Sequence, residues 1–121
     1  MSSISVFKAF RIVVERQDFY GRATRTVVQV RGEVDVATSD HLAAAIARAM
    51  ASAMEKEPAG KFHLVIDLAR LTFIDVSGIN VLVRAECQAR ACGGALVLRS
   101  PSRSVRRLLD VLRLDAVLAV E

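Results

Sequence analysis

The run Phe73-Ile74-Asp75-Val76-Ser77-Gly78-Ile79 puts a carboxylate, a hydroxyl and a glycine within four residues. Three roles are open to Asp75: orienting the hydroxyl, capping a helix, or accepting hydrogen bonds from a loop. Ser77 at or near a helix N-terminus meets amide groups without intrahelical partners and the positive end of the dipole. It can cap the helix there, or carry a phosphate that the same amides favour. Gly78 leaves room for a phosphate or for another molecule's backbone. Hydrolytic chemistry at Ser77 would need a base. Neither His41 nor His63 is placed by the sequence to act as one, and no glycine-rich phosphate loop precedes a lysine. Plain strand-to-helix capping remains an alternative reading of the same residues.

The flanking pattern says what must position these groups. Phe62 to Gly78 reads FHLVIDLARLTFIDVSG. Its apolar run predicts a buried strand over Leu64–Leu68, covered on both faces, then a connector containing Phe73-Ile74. Helical spacing follows from about Ser77 to Cys92, with Val81, Leu82, Ala85, Ala89 and Cys92 as the buried stripe. Asn80, Arg84 and Arg90 face water. Ile79 and Val83 fall outside that stripe, which means a wider buried face or a partner surface. Gly93-Gly94 ends the helix.

Upstream, Phe10–Glu15 and Thr26–Arg31 read as a hairpin turning through Gln17 to Arg22, with Asp18 and Gly21. Residues 1–8 form a loose arm or an edge strand. Gly32 ends the second strand, and Gly32-Glu33-Val34-Asp35-Val36-Ala37-Thr38 leads into a helix capped by Thr38, with Asp40 in its first turn. Leu42, Ala45, Ile46, Ala49 and Ala53 give that helix one apolar face, and Pro58 and Gly60 close it. Downstream, Ala95–Arg99 is a short strand. Ser102 or Ser104 caps a third helix with Val105, Leu108, Leu109 and Leu112 inward. Val117–Val120 is a final edge strand or a packed tail. The order is strand, strand, helix, strand, helix, strand, helix, strand. It predicts an α/β fold with a mixed, mostly parallel sheet of about five strands and three or more helices packed on it.

Composition narrows the function classes. The 121 residues are expected to form one domain, and 53% hydrophobic with 25% charged residues predicts a packed core rather than disorder. No apolar run approaches the roughly 20 residues of a membrane span, and MSSISVFKAF lacks the core of a secretory signal. A cytoplasmic protein with no membrane partner is expected. The net charge of +4 is densest at Arg99, Arg103, Arg106, Arg107 and Arg113. Without interleaved aromatics or a nucleic-acid motif this is a solvated helix face, which argues against a nucleic-acid partner. Cys87 and Cys92 lie about 140° apart around one helix, cannot easily bond to each other, and are expected as reduced thiols filling small spaces. No metal-ligand spacing exists, and no cofactor is expected.

At this point the chain resembles a known family. Phe73 to Ile79, the helix ending at Gly93-Gly94 and the strand after it resemble the STAS domain, and more closely the anti-sigma factor antagonists of bacterial partner-switching systems. Gly32-Glu33-Val34-Asp35 with Thr38 is similar to the family's second motif. Ser100-Pro101-Ser102 with Val105, Arg107, Leu108 and Leu109 is similar to its C-terminal helix. The resemblance covers nearly the whole chain. It implies a STAS-like fold and an interaction module rather than an enzyme. The partner would be an anti-sigma factor that is also a serine kinase, and a phosphatase would reset the switch. The implied partner surface is Asp35, Thr38, Asp75, Val76, Ser77, Gly78, Ile79 and Val83. One departure stands out: the family usually carries its phosphorylated serine directly after the Asp, where this chain has Val76. Either Ser77 takes the phosphate or phosphate does not regulate this chain. The competing expectation is a STAS module for ligand sensing or scaffolding, with a nucleotide as one candidate ligand.

Overall fold

The computed structural model describes residues 10–19, 22–57 and 61–121. The elements are β1 (Phe10–Phe19), β2 (Arg22–Val34), α1 (Ser39–Lys56), β3 (His63–Ile74), α2 (Val76–Ala91), β4 (Ala95–Arg99), α3 (Arg103–Val111) and β5 (Ala119–Val120). The strands form one sheet in the order β1-β2-β3-β4-β5. β1 and β2 pair antiparallel, and the three remaining pairings are parallel. Each parallel step is spanned by a helix, which is how parallel neighbours are joined. The α/β class and mixed sheet expected from the element order are therefore present.

The core lies between one sheet face and the helices. Leu64, Ile66 and Leu68 on β3 meet Val28 and Val30 on β2 and Leu96 and Leu98 on β4. Leu42, Ile46, Ala49 and Ala53 of α1 pack in the same cluster, as do Ile79, Leu82, Ala85 and Ala89 of α2 and Val105 and Leu109 of α3. The α1 stripe read from spacing is all buried. Phe62, 1% exposed, is among the largest side chains fully enclosed. Val27 and Val65 pair in register and are also buried, outside that cluster on the opposite side of the pleat.

Several element boundaries differ from expectation. Gly32 does not end β2. With φ 89° it sits in a register irregularity against β3, and the strand resumes to Val34. Glycine tolerates that left-handed backbone, and the extra residue of the irregularity, Thr72, lies on β3, where Gly32 and Glu33 pair with Leu71 and Phe73. Phe73-Ile74 is no connector but the end of β3, paired with Glu33 and Val34. Both strands are therefore longer than their apolar runs, and they end side by side. β1 and β2 also extend beyond the predicted hairpin segments, while Tyr20 and Gly21 lie outside the described residues, as do residues 1–9 and Pro58–Gly60.

The buried stripe of α2 is rotated from the expected one, and that of α3 is shorter, with Leu108 packed beside Val105 and Leu109. In α2 the buried set is Gly78, Ile79, Leu82, Ala85 and Ala89; Val81 and Val83 are half-buried and Cys92 is exposed. Ile79 therefore belongs to the core, because the helix starts at Val76 and its inward face steps through residues 79, 82, 85 and 89. Cys87 and Cys92 are both free and exposed, so neither fills an internal space. In α3, Val105 and Leu109 are buried, while Leu112 follows the helix end and is 38% exposed. Ser102, not Ser104, caps α3, its Oγ accepting from the Val105 amide at 3.2 Å. Of the arginine group, Arg103, Arg106, Arg107 and Arg113 face water, but Arg99 is half-buried on β4 and pairs with Glu121 at 2.9 Å.

Candidate functional site

The ends of β2 and β3 build a corner. Val34 and Ile74 are register partners, and the Asp75 amide donates to the Val34 carbonyl at 3.1 Å. The two chains then leave the sheet in parallel, one through Asp35-Val36 and the other through Asp75-Val76. Two acidic residues and two valines thus emerge from neighbouring strand ends, forty residues apart in sequence.

Asp75 is the N-cap of α2. Its backbone is extended (φ −105°, ψ −173°) and its Oδ1 accepts from the amides of Ser77 at 2.9 Å and Gly78 at 3.3 Å. That satisfies two of the donors a helix start leaves open. The Ser77 hydroxyl also donates to Asp75 Oδ1. Two of the three roles open to Asp75, orienting the hydroxyl and capping the helix, are filled together, and capping belongs to the aspartate rather than the serine. Ser77 lies one residue inside the helix and is half-buried, whereas Val76 beside it is 54% exposed.

Gly78 is buried, and space outside the corner does not explain it. A Cβ built there would lie 2.6 Å from Ile74 Cγ1 and 2.7 Å from Val34 Cγ1. The glycine lets α2 press onto the ends of β2 and β3, and it offers no opening to a visiting molecule. Of the residues expected at a partner surface, Gly78 and Ile79 therefore face inward, and Val83 is half-buried against the core.

On the other arm, Thr38 stands at the N-cap position of α1 but makes no side-chain cap. Its Oγ1 instead accepts from the Asp35 amide at 3.0 Å and donates to the Glu33 carbonyl at 3.1 Å. Asp35 Oδ1 accepts from the Ala37 amide at 2.9 Å, and its carbonyl receives the amides of Thr38 and Ser39. These short-range bonds fold residues 33–39 into a tight elbow that carries Val36 outward at 77% exposure. Phe73, on the last turn of the pleat before the cap, is 46% exposed.

Sequence reasoning did not single out Val36 and Phe73 as surface residues. The signal was present in Val36, an apolar residue in a predicted loop. Phe73 could not be assigned, because its outward direction depends on β3 running to Ile74. The corner thus consists of three exposed apolar side chains around a capped helix start, with Asp35, Thr38 and Ser77 half-buried among them. Among the described residues no group of three or more His, Cys, Asp or Glu side chains is placed to hold a metal, and no helix is long and apolar enough to cross a membrane. A groove of about 400 Å³ between α1 and α2, lined by Asp40, Ala44, Val81, Arg84 and Gln88, runs along the helical layer.

The family model described as Mlab, STAS domain, matches residues 20–119. Among solved structures, an anti-sigma factor antagonist from Mycobacterium paratuberculosis superposes with a TM-score of 0.65 at 26% identity, over 91% of this chain and 85% of that one. The anti-sigma factor antagonist SpoIIAA in its unphosphorylated form gives 0.64 at 21% identity, over 93% and 88%. Bacillus SpoIIAA in the phosphorylated form gives 0.59 at 20%, over 93% and 91%.

Proposed function

The chain belongs to the STAS domain family, and on that premise we propose that it is an anti-sigma factor antagonist, a non-enzymatic module that binds a kinase-type anti-sigma factor and so frees a sigma factor. The observation that carries this reading is the exposed apolar rim of Val36, Phe73 and Val76 around the Asp75–Ser77 cap. Large apolar side chains gathered at the mouth of a rigid element suit docking against another polypeptide. Among the described residues no base stands within hydrogen-bond reach of the Ser77 hydroxyl except the carboxylate that already holds it, an arrangement that favours binding over hydrolysis. The half-buried Asp35, Thr38 and Ser77 shape the rim, and Val76 makes direct contact. The cytoplasm is the compartment this role requires.

Phosphorylation of Ser77 is the finer proposal. The Ser77 hydroxyl and amide and the Gly78 amide all engage one carboxylate oxygen. A phosphate there would bring about −1.5 to −2 charges beside Asp75 and compete for the same amides. The cap would open, the rim would shift, and the partner would let go; a phosphatase would reverse it. Titration of the chain with its anti-sigma factor should give a saturable complex that Val76→Asp weakens at least tenfold. Absence of binding by the unmodified chain would sink the antagonist reading. Incubation with the anti-sigma kinase and ATP should add one phosphate to the wild type and none to Ser77→Ala. A phosphate that persists in Ser77→Ala would place the switch elsewhere.

A further inference from the structure

Among the described residues the outer edge of β1 is unpaired and self-complementary, and we propose that a second copy of this chain docks there, β1 against β1, across a twofold axis perpendicular to the sheet. Among the described residues β1 borders the sheet, with β2 on one side only. Edge strands are usually blunted by shortness, proline, bulges or charged side chains, and of these β1 carries the charges Arg11, Glu15 and Arg16. β1 is ten residues long, contains no proline, and keeps continuous register with β2 from Phe10 to Gln17. Val14 lies on the helix-facing side, opposite the fully buried Val28, yet is 48% exposed. Phe10 and Ile12 on that side reach the core cluster only partly buried. The apolar layer thus stops short at this edge. On the other side of the pleat stand Arg11, Val13 and Glu15, and among the described residues Arg11 and Glu15 form no ion pair within their own chain.

Symmetry fixes the possible registers. With the axis normal to the sheet, both copies present the same face, so residues facing each other must have an even sum of numbers. A sum of 24 puts Arg11 against Val13, with no Arg–Glu pair among the described residues. A sum of 28 puts Val13 against Glu15 and Arg11 against Gln17. A sum of 26 sets Arg11 opposite Glu15 twice, Ile12 opposite Val14 twice, and Val13 against itself on the axis. Phe10 then meets Arg16 of the other copy at each end. Opposite charges and apolar pairs directly across an antiparallel ladder are both favourable, and only this register provides both. The apolar layer of one copy continues into that of the other, and Val14 becomes covered. The corners carrying Asp75 then sit at opposite ends of a ten-stranded sheet, so this contact leaves the candidate site free.

The test is sedimentation of the full chain from about 1 to about 500 µM, the range suited to a small interface. A monomer–dimer equilibrium is expected. Arg11→Glu and Glu15→Arg should each weaken dimerisation about tenfold, since two cross-strand pairs turn repulsive, and the double variant should restore it. In a Cys87→Ser, Cys92→Ser background, mild oxidation should crosslink Val13→Cys into a dimer but leave Val36→Cys monomeric. A chain that stays monomeric throughout overturns the proposal. A dimer indifferent to both charge changes, or one that Val13→Cys does not crosslink, overturns it as well.

Discussion

Gly78→Ala separates two reasons for a glycine at this corner. If the residue leaves space for a visiting molecule, alanine should be neutral or slightly stabilising, because alanine in a helix is favoured over glycine by up to about 1 kcal/mol. The structure argues the reverse. The added methyl would lie 2.6 and 2.9 Å from Cγ1 and Cδ1 of Ile74 and 2.7 Å from Cγ1 of Val34. Ordinary contacts between carbons are about 3.5–4.0 Å, so each neighbour must retreat by close to an ångström. Neither can do so cheaply. Both are β-branched with stiff χ1 angles, Val34 is fully buried and Ile74 is 7% exposed, and both are held in register with each other. Overpacking of this kind costs about 1–3 kcal/mol. At the middle of that range, about 2 kcal/mol, less a helix-propensity gain of up to about 1 kcal/mol, a net loss of about 1 kcal/mol or more is expected, or roughly 4 °C or more in Tm for a domain of this size. Urea unfolding followed by circular dichroism measures it, and a lower midpoint with an unchanged slope is the expected signature. A variant as stable as the wild type would refute the packing argument. Weakened partner binding at full stability would return Gly78 to the contact surface.

Asp75→Ala removes the acceptor for the Ser77 and Gly78 amides; a loss of about 1 kcal/mol is expected, with Asp75→Ser recovering most of it, by the same urea titration. Thr38→Val deletes the hydroxyl that bridges the Asp35 amide and the Glu33 carbonyl. It should cost about 1–2 kcal/mol and speed hydrogen exchange at the Asp35 amide, while Thr38→Ser should leave both unchanged. Glu121 accepts hydrogen bonds from Arg99 and Arg25, which hold its carboxyl below the ordinary value of 4.5. A depressed folded-state pKa contributes stability above pH 4.5 that is lost as pH falls through the lower folded value. Glu121→Gln should flatten the stability profile in that acid window, and salt should shrink the difference, because the pair is solvent-accessible.

Much of the architecture was legible because periodicity reports burial directly. The α1 stripe of Leu42, Ala45, Ile46, Ala49 and Ala53 repeats at helical steps, and all five are buried. The unbroken Leu64-Val65-Ile66 run could only be a strand enclosed on both faces, and it is. The Asp-x-Ser-Gly corner was legible as well, because an acid just ahead of helical spacing is a capping signal.

What the sequence by itself determined was the inventory and order of elements and the presence of a carboxylate and a hydroxyl at one helix mouth. Those depend on contacts between near neighbours in the chain. Tertiary structure alone decided which way the corner faces. Gly78 turned inward because Ile74 and Val34, the latter forty-four residues upstream, occupy the space beside it. Ile79 joined the core and Val76 did not, because the first turn of α2 is oriented by where β2 and β3 stop. Strand length was undecided locally, since β2 continues past Gly32, a residue that usually ends a strand, by pairing with a β3 that carries an extra residue there. The exposed rim of Val36, Phe73 and Val76 is therefore a product of two strand ends brought side by side, a relation that no local stretch of the chain encodes.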